Sequence, residues 1–286
     1  MVLVAAMLWS TSGLFIQLVD WHPVLIAGSR GFVAAIFLVI VRLFFPSPKT
    51  GAKTSAKNTL RFPFWASAFA HAFMVITFVI ANRLTTSANA VLLQYSAPMW
   101  AALLAWWILK ERPRWENWGA LVLVVGGLLI FFRDGLASGA LAGNILGVVS
   151  GVFIGIHVVF LRMSKDGNPR DVLLMSHTIA AVISIPFVFL HPPELSLSSV
   201  MPILFMGIIQ QGLASLFFAY GIKRVSASKA VLTSTVEPIM NPVWVLLVIG
   251  QQPSVSAIIG GGIILLAVVS SSIIGAKRES ANRRLE

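Results

Sequence analysis

Apolar runs of about 20 residues, the length that an α-helix needs to cross the hydrocarbon of a bilayer, recur along the whole chain. Short segments that carry most of the charged residues separate these runs. The pattern predicts ten membrane-spanning helices, called spans 1 to 10 in chain order: 1–19, 24–45, 62–82, 88–109, 116–132, 140–161, 171–190, 199–221, 228–249 and 255–275. No segment is left over for a soluble domain. The sequence therefore predicts an all-α integral membrane protein.

Composition agrees with this fold class. The 286 residues are 57% hydrophobic and 11% charged, whereas soluble domains carry roughly a quarter charged residues. The chain contains no cysteine, which excludes disulfides and thiolate chemistry. No cleavable signal peptide is expected, because a span begins at residue 1 and no cleavage site follows it.

The positive charge is distributed unevenly between the two ends of the predicted spans. A net charge of +11 would suggest a nucleic-acid partner in a soluble protein, but here it lies in the loops, so no nucleic acid is expected. With an inside N-terminus, 18 of the 21 Lys and Arg residues fall in the segments 42–61, 110–114, 162–170 and 223–229 and in the tail. Since Lys- and Arg-rich loops stay in the cytoplasm, both termini are predicted to be cytoplasmic, in the inner (plasma) membrane of the cell.

Two stretches 140 residues apart resemble each other, and their loop charges are exchanged. Residues 82–118 align without a gap on 222–258, so that Pro98 falls on Pro238. The basic segment 110–114 falls on the neutral segment 250–254. Each half has five predicted spans, an odd number, so the second half must run antiparallel to the first.

The sequence therefore predicts two inverted five-helix repeats, residues 1–134 and 135–286, joined near 133–139. Transporters built from inverted repeats usually place their substrate site at mid-membrane between the halves and expose it to each side in turn. A purely structural duplication is the alternative.

Several short motifs connect this pattern with a known family. They are Trp9-Ser10, Pro23, Arg30, Ala97-Pro98 followed by Lys110-Glu111-Arg112, and Glu237-Pro238. With them the chain resembles the drug/metabolite transporter superfamily and is similar to its EamA-type ten-helix exporters. The chain departs from the pattern at Ala97, where Glu would be expected, and at Gly250-Gln251, where the family shows Gly-Glu. The resemblance implies a bacterial exporter of aromatic amino acids and hydrophobic drugs.

Two charged residues inside the predicted spans are candidates for function. Glu237 is the one acidic residue in the middle of a span, where a charge costs about 3 kcal/mol. It either binds a coupling proton or a substrate amine, or it caps backbone groups that Pro238 frees. Arg30 lies in the outer third of span 2. It either recognises a substrate carboxylate or is tied structurally to carbonyls or a neighbouring helix.

Polar residues at the span centres predict a shared cavity. His71 and Gln211 are 140 residues apart, as are Gln94 and Ser234, and Tyr95 and Thr235. A two-fold axis at mid-membrane would bring such positions together, and one aqueous cavity would satisfy their hydrogen bonds. Hydrogen bonding between helices without any substrate is the alternative. The remaining candidates for the cavity wall are Trp9, Ser10, Phe78, Trp100 and Asn241, of which the aromatic ones could stack on a ligand or simply pack between helices.

These observations favour an exporter of small amphipathic metabolites, with aromatic and other neutral amino acids and related drugs first. Proton coupling would depend on Glu237, and without it the protein would be a facilitative carrier. No cofactor and no metal site are predicted. The predicted partners are a small-molecule substrate and lipid. The sequence leaves the oligomeric state open, and a monomer is possible. An intramembrane enzyme is disfavoured, because motifs such as HExxH and G-x-S-x-G are missing. A channel or lipid scramblase remains a third class.

Overall fold

The computed structural model describes residues 1–44, 62–111, 115–164, 169–221, 224–225 and 233–282. Its regular elements are thirteen α-helices and one π-helical segment, listed here in two parts. In the first half they are α1 (Val2–Ser10), α2 (Ser12–Leu18), α3 (Pro23–Phe44), α4 (Phe62–Leu84), α5 (Ser87–Gln94), α6 (Ala97–Leu109) and α7 (Trp115–Ser138). In the second half they are α8 (Leu141–Met163), α9 (Pro169–Leu190), α10 (Leu197–Phe205), the π segment (Met206–Leu213), α11 (Ala214–Gly221), α12 (Val236–Ile249) and α13 (Val255–Asn282).

These elements form the ten predicted spans. Span 1 consists of α1 and α2, span 4 of α5 and α6, and span 8 of α10, the π segment and α11. In the described part of the chain, seven helical units are long and apolar enough to cross a membrane. The shorter apolar helices are Val2–Leu18, Trp118–Arg133 and Val236–Ile249. The predicted all-α membrane fold is confirmed.

The joint between the two halves is shorter than predicted. Span 5 was expected to end at 132, but α7 continues to Ser138. The chain then turns at Gly139, whose φ of +73° lies in the region that glycine adopts without strain. The helix continues because residues 128–138 contain no proline and only one glycine, Gly135. A single glycine is tolerated inside a helix.

Helices of one half pack against helices of the other. Helix α4 lies along α8 and α9, α3 lies along α9 and the π segment, and α7 lies along α13. Glycines allow the closest of these contacts, because a Cβ atom at Gly127 would lie 2.8 Å from the Gly260 carbonyl oxygen. These glycines therefore serve close packing between spans 5 and 10 of one chain.

Two ion pairs join the halves at the predicted cytoplasmic ends of the helices. Arg162 makes two parallel hydrogen bonds of 2.9 and 3.0 Å to the Glu111 carboxylate, and Arg42 lies 2.9 Å from Asp171. Most of the predicted basic loops, at 45–61, 112–114, 165–168, 222–223 and 226–232, lie outside the described residues. The predicted orientation in the membrane therefore stays a prediction.

The repeat is visible in how spans 4 and 9 end. Helix α6 ends at Lys110 with a φ of 58°, and α12 ends at Gly250 with a φ of 76°. These two residues are related by the 140-residue offset. Both halves therefore use the same left-handed helix end, although only the second supplies a glycine for it.

Replacing Lys110 with Gly should stabilise the protein by about 0.5–1 kcal/mol, because a side chain in the left-handed region is strained. The midpoint of thermal unfolding in detergent would measure the change. The control is Lys277→Gly, at an exposed position of α13. It should lower the midpoint, since glycine inside a helix costs about 1 kcal/mol. A lower midpoint for Lys110→Gly would contradict the strain argument.

Candidate functional site

Spans 4 and 9 are interrupted at corresponding positions. Helix α5 ends at Gln94 and α6 begins at Ala97, while a turn at Thr235 precedes α12. Prolines explain both breaks, because Pro98 and Pro238 lack the N–H that would bond the carbonyl four residues earlier. Interrupted spans in matching places of two repeats are a strong indicator of a binding site in a transporter.

The two interruptions meet at Tyr95. Its hydroxyl oxygen lies 2.9 Å from the Ser234 carbonyl oxygen and 3.0 Å from Glu237 Oε2. The Ser234 carbonyl is the one that Pro238 leaves without its helical partner, so the tyrosine of one half satisfies the backbone of the other. Tyr95 therefore forms the hydrogen bond to the carbonyl that Pro238 frees. One of the two roles that the sequence suggested for Glu237 was to cap such freed backbone groups. Tyr95, Ser234 and Glu237 are all half-buried.

Span 1 is also interrupted, at Thr11, and it borders the same region. The Gln210 side-chain amide donates to Thr11 Oγ1 at 2.6 Å, and Trp9 Nε1 donates to the Gln210 carbonyl at 2.9 Å. On the other side, Trp244 Nε1 of α12 donates to Ser10 Oγ at 2.9 Å. The break in span 1 is therefore held by hydrogen bonds to the π segment of span 8 and to span 9.

Among the residues predicted for the cavity wall, Trp9 and Trp100 are half-buried, whereas Ser10, Phe78 and Asn241 are buried. Trp9 stacks obliquely on Phe218 at 5.2 Å between ring centroids. Trp100 donates to Ser96 Oγ at 3.1 Å. Phe78 is only 5% exposed and lies in the hydrophobic core, because α4 buries that face against its neighbours. In this conformation Phe78 is therefore not part of a wall that a ligand could touch.

Gln94 and Asn241 are buried in different ways. The Gln94 amide donates to Ser150 Oγ at 2.6 Å, and Ser150 in turn donates to the Met74 carbonyl at 3.2 Å. Asn241 is fully buried, and within the described residues both of its side-chain polar atoms lack a hydrogen-bond partner. It faces Gly13, at which a Cβ atom would lie 2.6 Å from Asn241 Oδ1. Gln94 thus makes a hydrogen bond between helices, which was the alternative to lining a cavity.

His71 and Gln211 are not joined by a hydrogen bond in the described part of the chain. His71 Nδ1 lies 2.9 Å from Ser176 Oγ, and its ring faces two further histidines, His157 and His177. Gln211 is half-buried in the π segment, next to the fully buried Gln210. The predicted cavity shared by His71 and Gln211 therefore stays a prediction.

Arg30 is buried, with 1% of its surface exposed. Its Nε and NH1 atoms have no hydrogen-bond partner within the described residues. The structural tie to carbonyls that the sequence allowed is therefore not seen for these two atoms.

Sequence reasoning missed Thr11, Ser150 and Gln210. Each makes a hydrogen bond between spans that border the Tyr95 contact. The signal was present, because a buried Gln in a span needs a partner. Gln210 and Gln211 are adjacent, however, and only the π-helical backbone shows which of them points inward.

Comparison with known proteins connects this architecture to one family. The sequence model of the EamA-like transporter family matches the chain twice, at residues 1–133 and 141–273. A solved crystal structure aligns over 96% of both chains with a TM-score of 0.67 and 18% identity, which shows a shared fold.

Three relatives found by sequence are 21–30% identical to this chain. The uncharacterized transporter YwfM of Bacillus subtilis is 30% identical over 195 residues, 65% of this chain and 64% of its own length. The pseudopaline exporter CntI of Pseudomonas aeruginosa is 25% identical over 65% of this chain and 66% of its own. The uncharacterized transporter YoaV of Bacillus subtilis is 21% identical over 91% and 90%. The match to YwfM, and that to YdfC, a further uncharacterized transporter of Bacillus subtilis, each span 64% of the relative's length.

The family model covers both halves of the chain and nearly all of the helices that form the site. The chain therefore belongs to the EamA-like transporter family, in the drug/metabolite transporter superfamily.

Proposed function

We propose that the chain is an alternating-access secondary transporter that exports small amphipathic metabolites, with aromatic and other neutral amino acids and related drugs as its substrates. The observation that carries the proposal is the contact of Tyr95 with Ser234 and Glu237, where the interrupted spans of the two halves meet. In this proposal the repeats, 1–134 and 135–286, rock about that contact. The protein lies in the inner membrane with both termini in the cytoplasm.

The side chains around the contact support this substrate class. Trp9, Tyr95 and Trp100 are half-buried aromatic residues, and such rings bind flat apolar groups by stacking. Glu237 adds one carboxyl group, which suits a substrate amine. An apolar body with one charged end fits this combination. The relative CntI is a pseudopaline exporter, which supports the outward direction.

Hydrogen counting at Tyr95 supports coupling to protons. A phenol carries one hydrogen, yet Tyr95 Oη lies within hydrogen-bond distance of two acceptors, the Ser234 carbonyl and Glu237 Oε2. Both contacts are full hydrogen bonds only when Glu237 carries a proton and donates it to Tyr95, while Tyr95 donates to Ser234. Substrate binding that requires an ionised Glu237 would then exchange one proton for one substrate. Without this exchange, the protein is a facilitative carrier.

Two other classes compete with a carrier. The family is a transporter family and not an enzyme family, so an intramembrane enzyme is set aside. A channel or a lipid scramblase differs from a carrier in its kinetics, because neither binds and releases one solute per conformational cycle.

Counterflow in proteoliposomes tests the proposal. Vesicles loaded with unlabelled phenylalanine or tryptophan should transiently accumulate the labelled amino acid, and the initial rate should saturate. Protein-free vesicles and labelled aspartate, which lacks an apolar body, serve as controls. Flux that does not saturate and ignores the internal amino acid would indicate a channel. No flux from protein that elutes as a folded, monodisperse species would exclude these amino acids as substrates.

A further inference from the structure

Four basic side chains from four helices form a buried cluster. We call Arg30 of α3, His71 of α4, His157 of α8 and His177 of α9 the Arg30–His cluster. The ring centroids of His71 and His157 are 4.9 Å apart, and those of His71 and His177 are 5.5 Å apart at a near-perpendicular angle. Arg30 lies within electrostatic range of His71 and His177. The cluster thus places Arg30 near His71 and His177, and His71 connects it to His157.

Within the described residues, no acidic side chain pairs with Arg30. Arg30 and His177 are each 1% exposed, and the described residues offer no hydrogen bond to Arg30 Nε and NH1 or to either ring nitrogen of His177. The ion pairs of the described residues lie elsewhere, at the helix ends. Glu237, the mid-span acid, is bonded to Tyr95. A buried charge without a partner is strongly unfavourable, so this position favours an anionic partner from outside the chain.

Close packing holds Arg30 in place. A Cβ atom at Gly31 would lie 3.1 Å from the His177 carbonyl oxygen, and one at Gly207 of the π segment would lie 2.9 Å from the Arg30 carbonyl. Helix α3 is therefore pressed between α9 and span 8. The Arg30 backbone is fixed against both neighbours, which keeps the cluster preorganised.

The other two histidines form the accessible side of the cluster. His71 and His157 are half-buried. Each has its Nδ1 within 2.9 Å of a serine hydroxyl, Ser176 for His71 and Ser67 for His157. These bonds fix the ring orientation and leave Nε2 of each ring for a further partner.

Two hydrogen bonds lead from α4, one helical turn from His71, to the residue before Tyr95. His71 is one helical turn from Met74 on α4. The Met74 carbonyl accepts from Ser150, whose hydroxyl accepts from Gln94, the residue before Tyr95. The cluster therefore lies along the same interior region as the proposed substrate site.

We propose that the Arg30–His cluster binds a single carboxylate, that of the transported substrate. Arg30 supplies the positive charge and a fork of N–H donors, which match a carboxylate, and the histidines add neutral N–H donors. The inference rests on the proposed transport function and makes it more specific. Substrates are expected to need a carboxylate as well as an apolar body, which includes amino acids and excludes simple aromatic amines.

Ligand protection of the purified wild-type protein tests this without transport. The midpoint of thermal unfolding in detergent should rise with 3-phenylpropanoate and with phenylalanine, and clearly less with phenethylamine, which offers only an amine for Glu237. The variant Arg30→Gln should weaken the apparent affinity for 3-phenylpropanoate roughly tenfold or more, the usual effect of removing a charged hydrogen-bond partner. His177→Phe, which keeps an aromatic ring, should weaken it less. Arg42→Gln, a change of an exposed arginine, should leave it unchanged.

The outcomes separate this inference from the transport proposal. Protection by phenethylamine equal to that by 3-phenylpropanoate would overturn the carboxylate site, even if phenylalanine counterflow is robust. The same holds if chloride alone protects fully and 3-phenylpropanoate adds nothing, which would indicate an inorganic anion. Selective protection by 3-phenylpropanoate without counterflow of phenylalanine or tryptophan would support the carboxylate site and exclude these two amino acids as substrates. The wild-type series decides the question even if Arg30→Gln fails to fold.

Discussion

Replacing Glu237 with Gln should abolish accumulation driven by a pH difference and weaken counterflow, because substrate binding is proposed to need an ionised Glu237. Glutamine keeps the size of the side chain and can still donate to Tyr95, but it cannot release a proton. If one proton is exchanged for one substrate, one pH unit across the membrane drives about tenfold accumulation. In acid-inside proteoliposomes the wild-type protein should approach this ratio, and Glu237→Gln should show none.

The matched control is Glu111→Gln. Glu111 is exposed and paired with Arg162 at the helix ends, so its loss should not affect the accumulation ratio. An unchanged ratio in Glu237→Gln would show that Glu237 does not couple protons. If the wild-type protein itself does not accumulate substrate in acid-inside vesicles, the facilitative carrier is the correct description.

Replacing Gly28 with Ala should destabilise the protein by about 3 kcal/mol, the upper part of the usual range for overpacking. The added methyl group would overlap both Cβ and Oγ of Ser184 on α9. Rotation of the hydroxyl cannot relieve a clash with Cβ, so α3 and α9 would have to separate. The midpoint of thermal unfolding in detergent measures the effect.

Two further variants make this result specific. Gly262→Ala adds the same methyl group on α13, where nothing lies within 4 Å, and should raise the midpoint because alanine favours a helix. The double variant Gly28→Ala with Ser184→Gly removes the overlapping Cβ and should recover most of the lost stability. Destabilisation that persists in the double variant would show that the α3–α9 contact is not the cause.

Much of the fold could be predicted because hydrophobic length is a strong signal in membrane proteins. All ten spans were predicted, with errors mainly at helix ends such as Ser138. The matching breaks of spans 4 and 9 follow from Pro98 and Pro238, whose missing N–H groups are visible in the sequence.

Other features depend on how the spans cross, which the sequence does not contain. His71, His157 and His177 lie on three helices that are far apart in the chain, and each alone is compatible with simple packing. The approach of α9, which carries His177, to Arg30 depends on the close contacts that Gly28 and Gly31 allow. Contacts of this kind are set by glycine positions on two helices together, so one sequence pattern cannot reveal them.

The π segment was missed for a different reason. No residue type in span 8 marks a π-helix as distinct from an α-helix. Gln210 is turned toward Thr11 only in the wider backbone. Gln211 was predicted to face the cavity because it lies 140 residues from His71.

The central claim is that the region around Tyr95 and Glu237 opens to each side of the membrane in turn, and a single thiol tests it most directly. The chain contains no cysteine, so Ser234→Cys places the sole thiol beside this contact. A membrane-impermeant maleimide should label it from both faces. Excess substrate at one face should slow labelling from that face, where it occupies the site, and speed labelling from the other, toward which loaded carriers turn. Labelling from both faces that substrate slows equally would indicate an open pore, and labelling from one face alone would contradict alternating access.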